Sequence, residues 1–152
     1  HTIIRTMDNN NKITETVLKN SYKNAQMALL SLDDVIKVAK GALKEELLNE
    51  REGYEKIITD ISVIAHGKNI ELSSVNTMQK TMVAASISMK TMMDDSDSHI
   101  AEMTLKGTIM GVTELIKDIS EFGHMLDKDV YGQIKILKEF EEQCEENLKK
   151  YL

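Results

Sequence analysis

Two glutamates stand where a helix would bury its apolar stripe. Stepping by alternating fours and threes through Leu43, Leu47, Glu50, Tyr54, Ile57, Ile61 and Ile64 traces one helix face, apolar or aromatic everywhere except at the acid. The same stepping near the end of the chain gives Val130, Ile134, Leu137, Glu141, Cys144, Leu148 and Tyr151, again with one acid in the middle. A carboxylate on a buried stripe is costly unless it is hydrogen-bonded, paired, protonated or bound to a metal. Two chemistries follow. Each acid can accept a hydrogen bond from a stripe tyrosine, Tyr22 or Tyr54, or from a lysine reaching inward. Alternatively, Glu50 and Glu141 bridge a single divalent ion (iron, manganese or zinc), with Cys144 as third ligand. If the two acids approach one another, one of them is expected to be protonated at neutral pH.

Other reactive side chains form no comparable pattern. His66, His99 and His124 lie near expected helix ends and His1 in the leading segment, so no two share a helix face at ligand spacing. Cys144 has no histidine beside it on the stripe to make a thiolate pair, which favours an inert buried thiol. Phosphate-binding glycine loops, Ser-His-Asp orderings and paired-cysteine zinc motifs are absent. Glu139, Glu142, Glu145 and Glu146 around Glu141 read as a solvated helix face.

The elements that must position the two acids are helices. Proline is absent from the 152 residues, the chain is rich in Ala, Leu, Lys, Glu and Met, and aromatics are few. Gly41, Gly67 and Gly123 fall where apolar periodicity breaks, as helix-terminating glycines do. The length suits one domain with a core of its own. A net charge of -6 argues against nucleic acid, which needs a basic stripe. One cysteine gives no internal disulfide and fits a reducing compartment. No apolar run approaches a membrane span and no signal-peptide pattern opens the chain, so the expected location is the cytoplasm, with no membrane partner.

Residues 1–12 read as a disordered tail, with His1 to Thr6 foreign to the native chain and Met7 its start; residues 13–152 read as one helical domain. The first helix is expected from Ile13 to about Lys40 on the stripe Leu18, Tyr22, Ala25, Leu29, Leu32, Ile36 and Ala39. Gly41 joins it to an antiparallel second helix that ends near His66 to Asn69, with Gly67 in a left-handed cap. Ser73 or Ser74 is expected to cap a third helix, Val75 to about Met93, whose stripe Val75, Met78, Met82, Ala85, Met89 and Met92 reads as adaptable packing rather than a copper or haem site. Asp94 to Ser98 reads as a turn, with Asp95, Ser96 or Asp97 capping a fourth helix, His99 to Phe122. That helix carries two stripes: Leu105, Ile109, Val112, Ile116 and Ile119, and Ile100, Met103, Gly107 and Met110. Gly107 and Gly111 would let another helix approach closely, within the chain or in a homodimer. A fifth helix begins near Asp127 and runs to Leu152.

Two helices, a long crossover holding a third, then two more: this order resembles the ferritin-like class. Glu50-Arg51-Glu52-Gly53-Tyr54-Glu55 resembles the second-helix motif of rubrerythrin-type proteins, with Gly53 where their histidine stands. Glu141-Glu142-Gln143-Cys144 resembles the motif of their fourth bundle helix, with Cys144 in the histidine position. Ser98-His99-Ile100-Ala101-Glu102-Met103 and the Gly107 to Gly111 region are similar to a family of Gram-positive anaerobes without an assigned activity. The resemblance implies an all-α, antiparallel four-helix bundle of the first, second, fourth and fifth helices, with the third helix in the crossover. It also implies degenerate di-iron ligand motifs. Both histidines are missing, the first helix offers Tyr22, Ala25 and Leu29 where a ligand acid is needed, and the fourth offers Thr104, Thr108 and Gly111.

The expected function is therefore a non-enzymatic binding or structural module, a homodimer with no resident cofactor, able to hold a small apolar ligand between the third and fourth helices beside Ala84, Ala85, Gly107 and Gly111. The competing expectation is a metal-binding oxidoreductase or metal-storage protein with an altered site at Glu50, Glu141 and Cys144.

Overall fold

The computed structural model describes residues 2–152, with side chains from Asn9 onward. His1 lies outside the described residues. The architecture is all-helical: α1 (Thr2–Ile36), α2 (Gly41–Gly67), α3 (Thr77–Met93), α4 (Asp97–Phe122), a short 3-10 turn (Gly123–Met125) and α5 (Lys128–Lys149). No helix among the described residues is long and apolar enough to cross a membrane.

α1, α2, α4 and α5 form a bundle in which α1 neighbours α2 and α4, and α5 neighbours α2 and α4. Cross-helix contacts fix the directions. Lys68 at the end of α2 pairs with Asp127 and Asp129 at the start of α5. At the opposite end Tyr151 donates to the Ala42 carbonyl, so α2 and α5 are antiparallel. Asn24 reaches Gly111 and Asn20 reaches Asp118, which makes α1 and α4 antiparallel as well. α3 packs on α1. Gln26 holds the approach to α3 by accepting from the Val75 amide while donating to the Tyr22 hydroxyl.

The α2 and α5 stripes are buried nearly as their spacing predicts. α2 buries Leu43, Leu47, Glu50, Tyr54, Ile57, Ile61 and Ala65, the last replacing Ile64. α5 buries Val130, Gln133, Ile134, Leu137, Glu141, Cys144 and Leu148. Each fully enclosed Leu or Ile contributes about 1.5–3 kcal/mol by leaving water, and this offsets the cost of enclosing the acids. On α1 the buried line shifts to Val17, Leu18, Ser21, Ala25, Leu32 and Val35, with Ala39 buried just beyond its end, leaving Tyr22, Leu29 and Ile36 half-buried.

Several local expectations are corrected. α1 begins at Thr2 rather than Ile13 and ends at Ile36, so the segment read as an irregular tail is helical from Thr2 on. Gly67 stays within α2, and the left-handed residue past its end is Asn69 at φ 58°. Asn tolerates this conformation because its short amide can bond locally. Gly41 also adopts φ 58°, where a Cβ would be strained, and so turns α1 into α2. Neither Ser73 nor Ser74 caps α3; the Asn76 side chain does, accepting from the Gln79 amide at 2.8 Å. Ser96 caps α4 as expected, through the His99 amide.

The methionine stripe of α3 does not pack. Met78, Met82, Met89 and Met92 are exposed, and α3 buries Ile87 and Thr91 instead. α3 touches the bundle along one narrow line, so a helix with apolar residues on several sides seats only one of them. α4 likewise buries Ile100, Ala101, Leu105, Thr108, Val112 and Leu115, while Ile109, Ile116 and Met110 face outward.

Candidate functional site

The two stripe acids come together with an aromatic and a thiol at mid-bundle. Glu50 and Glu141 are 4% and 1% exposed. The Tyr54 hydroxyl, one turn beyond Glu50 on α2, donates to Oε2 of Glu141 at 2.7 Å. Of the two tyrosines expected to serve the acids, Tyr54 does so and Tyr22 does not, since Tyr22 is engaged by Gln26 beneath the approach to α3. Oε1 of Glu141 and Oε2 of Glu50 have no hydrogen-bond partner.

Burial dominates the electrostatics. It lifts Glu50 to about 8, helped by the neighbouring Glu46 carboxylate and opposed by a hydrogen bond with Cys144. Burial also lifts Glu141 to about 8, with the Tyr54 hydrogen bond opposing and Glu114 and Glu145 adding to the rise. The Cys144 thiol is pushed up by burial and then by both carboxylates, and the Tyr54 phenol is raised for the same reasons. Tyr54 and Cys144 are each raised by both acids as well as by burial. Burial thus favours the protonated form of every group in the cluster.

Glycines shape both sides of it. A Cβ on Gly53 would overlap the ring of Phe140, which in turn meets Tyr54 edge-on at 4.9 Å. The space that a side chain at residue 53 would need belongs to Phe140. A Cβ on Gly111 would lie 3.0 and 3.1 Å from the carboxyl oxygens of Glu141 and 3.2 Å from Oδ1 of Asn24. Asn24 donates its amide NH2 to the Gly111 carbonyl at 2.9 Å, which fixes Oδ1 on the side of Glu141. Gly111 thus admits oxygens from α1 and α5 against the α4 backbone. Gly107 has open space around it, so the two glycines do not form a shared helix-packing patch.

That open space belongs to a cleft of about 1320 Å³ between α1, α3 and α4. Its most deeply buried lining residues include Glu50, Tyr54 and Glu141, and Met27, Met82, Met103 and Met110 line its apolar walls. Gly107 and Gly111 border it as expected; Ala84 and Ala85 do not. Its outer lip carries the exposed Lys23, Lys90, Lys106 and Lys117 together with Glu102 and Glu114. The sequence alone did not disclose Asn24 or the methionines of α1 and α4 as site residues. Asn24 is a polar residue beside Ala25 on the buried line of α1, the one local signal that pointed to it.

The donor set does not fit a di-iron centre. Two acids with one unpartnered oxygen apiece and a strongly protonated thiol lack the imidazoles and further carboxylates that such a centre uses. Among the described residues, no group of three or more His, Cys, Asp or Glu side chains is arranged to hold a metal ion. His99 is half-buried with an unpartnered Nε2 near the start of α4, and it borders the cleft without joining the acids. No protein-family model, curated protein or solved structure matches this chain.

Proposed function

We propose that this chain is a ferritin-like bundle that has kept the scaffold without the oxidase centre and serves as a non-enzymatic binding module. The helix order and neighbourhood support the first part: an α1–α2 pair, a crossover holding α3, and an α4–α5 pair whose members each neighbour one helix of the first. The cleft carries the second part. It is large enough for a small organic molecule, apolar along its methionine walls, and floored by buried hydrogen-bonding groups with free valences. Methionine side chains adapt their shape and suit a site that accepts an apolar body. The cluster chemistry favours holding over turnover, because its one strong nucleophile, the Cys144 thiol, is buried and held in the protonated form.

The test is binding of the neutral apolar dye Nile red to the full chain, followed by its fluorescence rise and by native mass spectrometry. Saturable binding at one dye per chain is expected, and Gly107→Trp, which builds an indole into open cleft space, should abolish it. Unsaturable binding, or binding indifferent to Gly107→Trp, overturns the reading.

The unpartnered oxygens of Glu50 and Glu141 favour a second reading: one divalent ion (iron, manganese or zinc) between them and Cys144, serving metal storage or redox chemistry. Metal analysis of protein purified without chelators separates the two. Near-stoichiometric metal lost in Glu141→Gln supports the ion, and a content far below one equivalent removes it.

A further inference from the structure

The corner where Asn24, Gly111 and Glu141 meet holds an amide oxygen and a buried carboxyl group. Oδ1 of Asn24 and both carboxyl oxygens of Glu141 crowd the same side of Gly111, and the one donor to Glu141, the Tyr54 hydroxyl, serves only Oε2. Oε1 of Glu141 is buried without a partner, on a residue almost wholly enclosed that lines the cleft. The titratable groups acting on the two acids are Glu46 and Tyr54 from α2, Glu114 from α4, and Cys144 and Glu145 from α5; none is a cation. On α1 the corner meets Asn24, which does not titrate, and the α1 lysine in the cleft, Lys23, is exposed at the lip. The other lining lysines, Lys90 on α3 and Lys106 and Lys117 on α4, are also exposed, and Lys106 is paired with Glu102. An anionic head group would meet only acids and acceptors at this depth, whereas a group with several donors and a positive charge would satisfy them.

We infer that the molecule held in this cleft is an organic amine, its ammonium head seated against Glu141 and Asn24 beside Gly111 and its apolar body lying along Met27, Met103 and Met110. The inference rests on the cleft being a ligand site, and it names the class of ligand. An ammonium offers three N–H donors; Oε1 of Glu141 and Oδ1 of Asn24 take two of them, and Oε2 of Glu50 is a further unpartnered oxygen on a residue lining the same cleft. Seating the cation draws the proton off Glu141, because the carboxylate is then paired instead of buried alone. The amine keeps its proton, and the proton from Glu141 leaves to solvent, so binding is coupled to proton release at neutral pH and loses that coupling once Glu141 is already ionised.

The test compares octylammonium, 1-octanol and octanoate with the full chain by calorimetry in two buffers of different ionisation enthalpy. Octylammonium should bind at least about tenfold more tightly than 1-octanol, releasing up to about one proton at neutral pH and fewer above about pH 9. Octanoate should bind weakest. Glu141→Gln should erase the preference for octylammonium while leaving 1-octanol bound. Gly111→Ala, whose methyl fills the corner, should weaken octylammonium alone, and circular dichroism of both variants reports that the bundle is intact. Octanol binding as tightly as octylammonium, or a preference that survives both substitutions, overturns the amine assignment and leaves the cleft a binding site. Failure of all three probes to bind overturns the cleft itself.

Discussion

Tyr54 on α2 and Glu141 on α5 are joined by a buried 2.7 Å hydrogen bond in which the phenol donates to Oε2. It ties the two helices at mid-bundle. It also decides which oxygen of Glu141 stays free. Tyr54→Phe leaves both oxygens of Glu141 without a donor, and the loss of an opposing influence raises the acid further above about 8. A buried group left unpartnered costs about 1–3 kcal/mol, so Tyr54→Phe should destabilise by that amount in urea unfolding. A change within error would mean that the hydrogen bond is replaced by water.

Stability should fall as pH rises. Glu50 and Glu141 sit at about 8 when folded against 4.5 as model acids, so the folded chain holds protons that the unfolded chain gives up. Their contribution is fully present below the unfolded value, declines as pH climbs past it, and is lost through about 8. Urea midpoints at about pH 5 and about pH 9 should differ in that direction, and Glu50→Gln, which cannot ionise, should flatten the difference chiefly by stabilising the protein at the higher pH. A midpoint that does not change with pH would show that these acids ionise in the folded state as freely as in water.

Gly53 leaves no room for a side chain, and Phe140 is the reason. Any Cβ there overlaps the Phe140 ring. Gly53→Ala gains helix propensity of about 1 kcal/mol but forces the ring away from Tyr54, and overpacking of this kind costs about 1–3 kcal/mol or more. The expected net result is a less stable protein, with Phe140→Leu recovering part of the loss in a double-mutant cycle. Additive effects of the two changes would show that the ring moves aside freely.

The acids were legible in the sequence because a 3.6-residue repeat that buries six neighbours must bury the seventh. That logic held on α2 and α5, where the apolar residues form a single stripe and that stripe is the buried one. It misplaced the buried faces of α3 and α4. Their apolar residues lie on more than one side, and periodicity cannot say which of those sides a neighbour takes. The cap of α3 was missed because Asn76 and the serines before it are all good caps, and only the position of the first helical turn selects among them. Phe140 over Gly53 and Asn24 beside Glu141 join residues from different helices, a relationship that no local spacing encodes.

Cys144 gives the last measurable consequence. It is 2% exposed, and burial together with Glu50 and Glu141 pushes its thiol well above the ordinary range. The attacking species in alkylation is the thiolate, and here it is both scarce and enclosed. Iodoacetamide should therefore label native Cys144 at least about a hundredfold more slowly than the same chain in urea, at a rate that follows opening of the bundle rather than thiol ionisation. Glu50→Gln tests the opening half of this. Because it stabilises the bundle at alkaline pH, native labelling there should slow while labelling in urea stays unchanged. Rapid native labelling at neutral pH would reveal a thiolate at mid-bundle, the form a metal-ligating cysteine takes, and would move the balance from the amine cleft toward the divalent-ion reading of Glu50, Glu141 and Cys144.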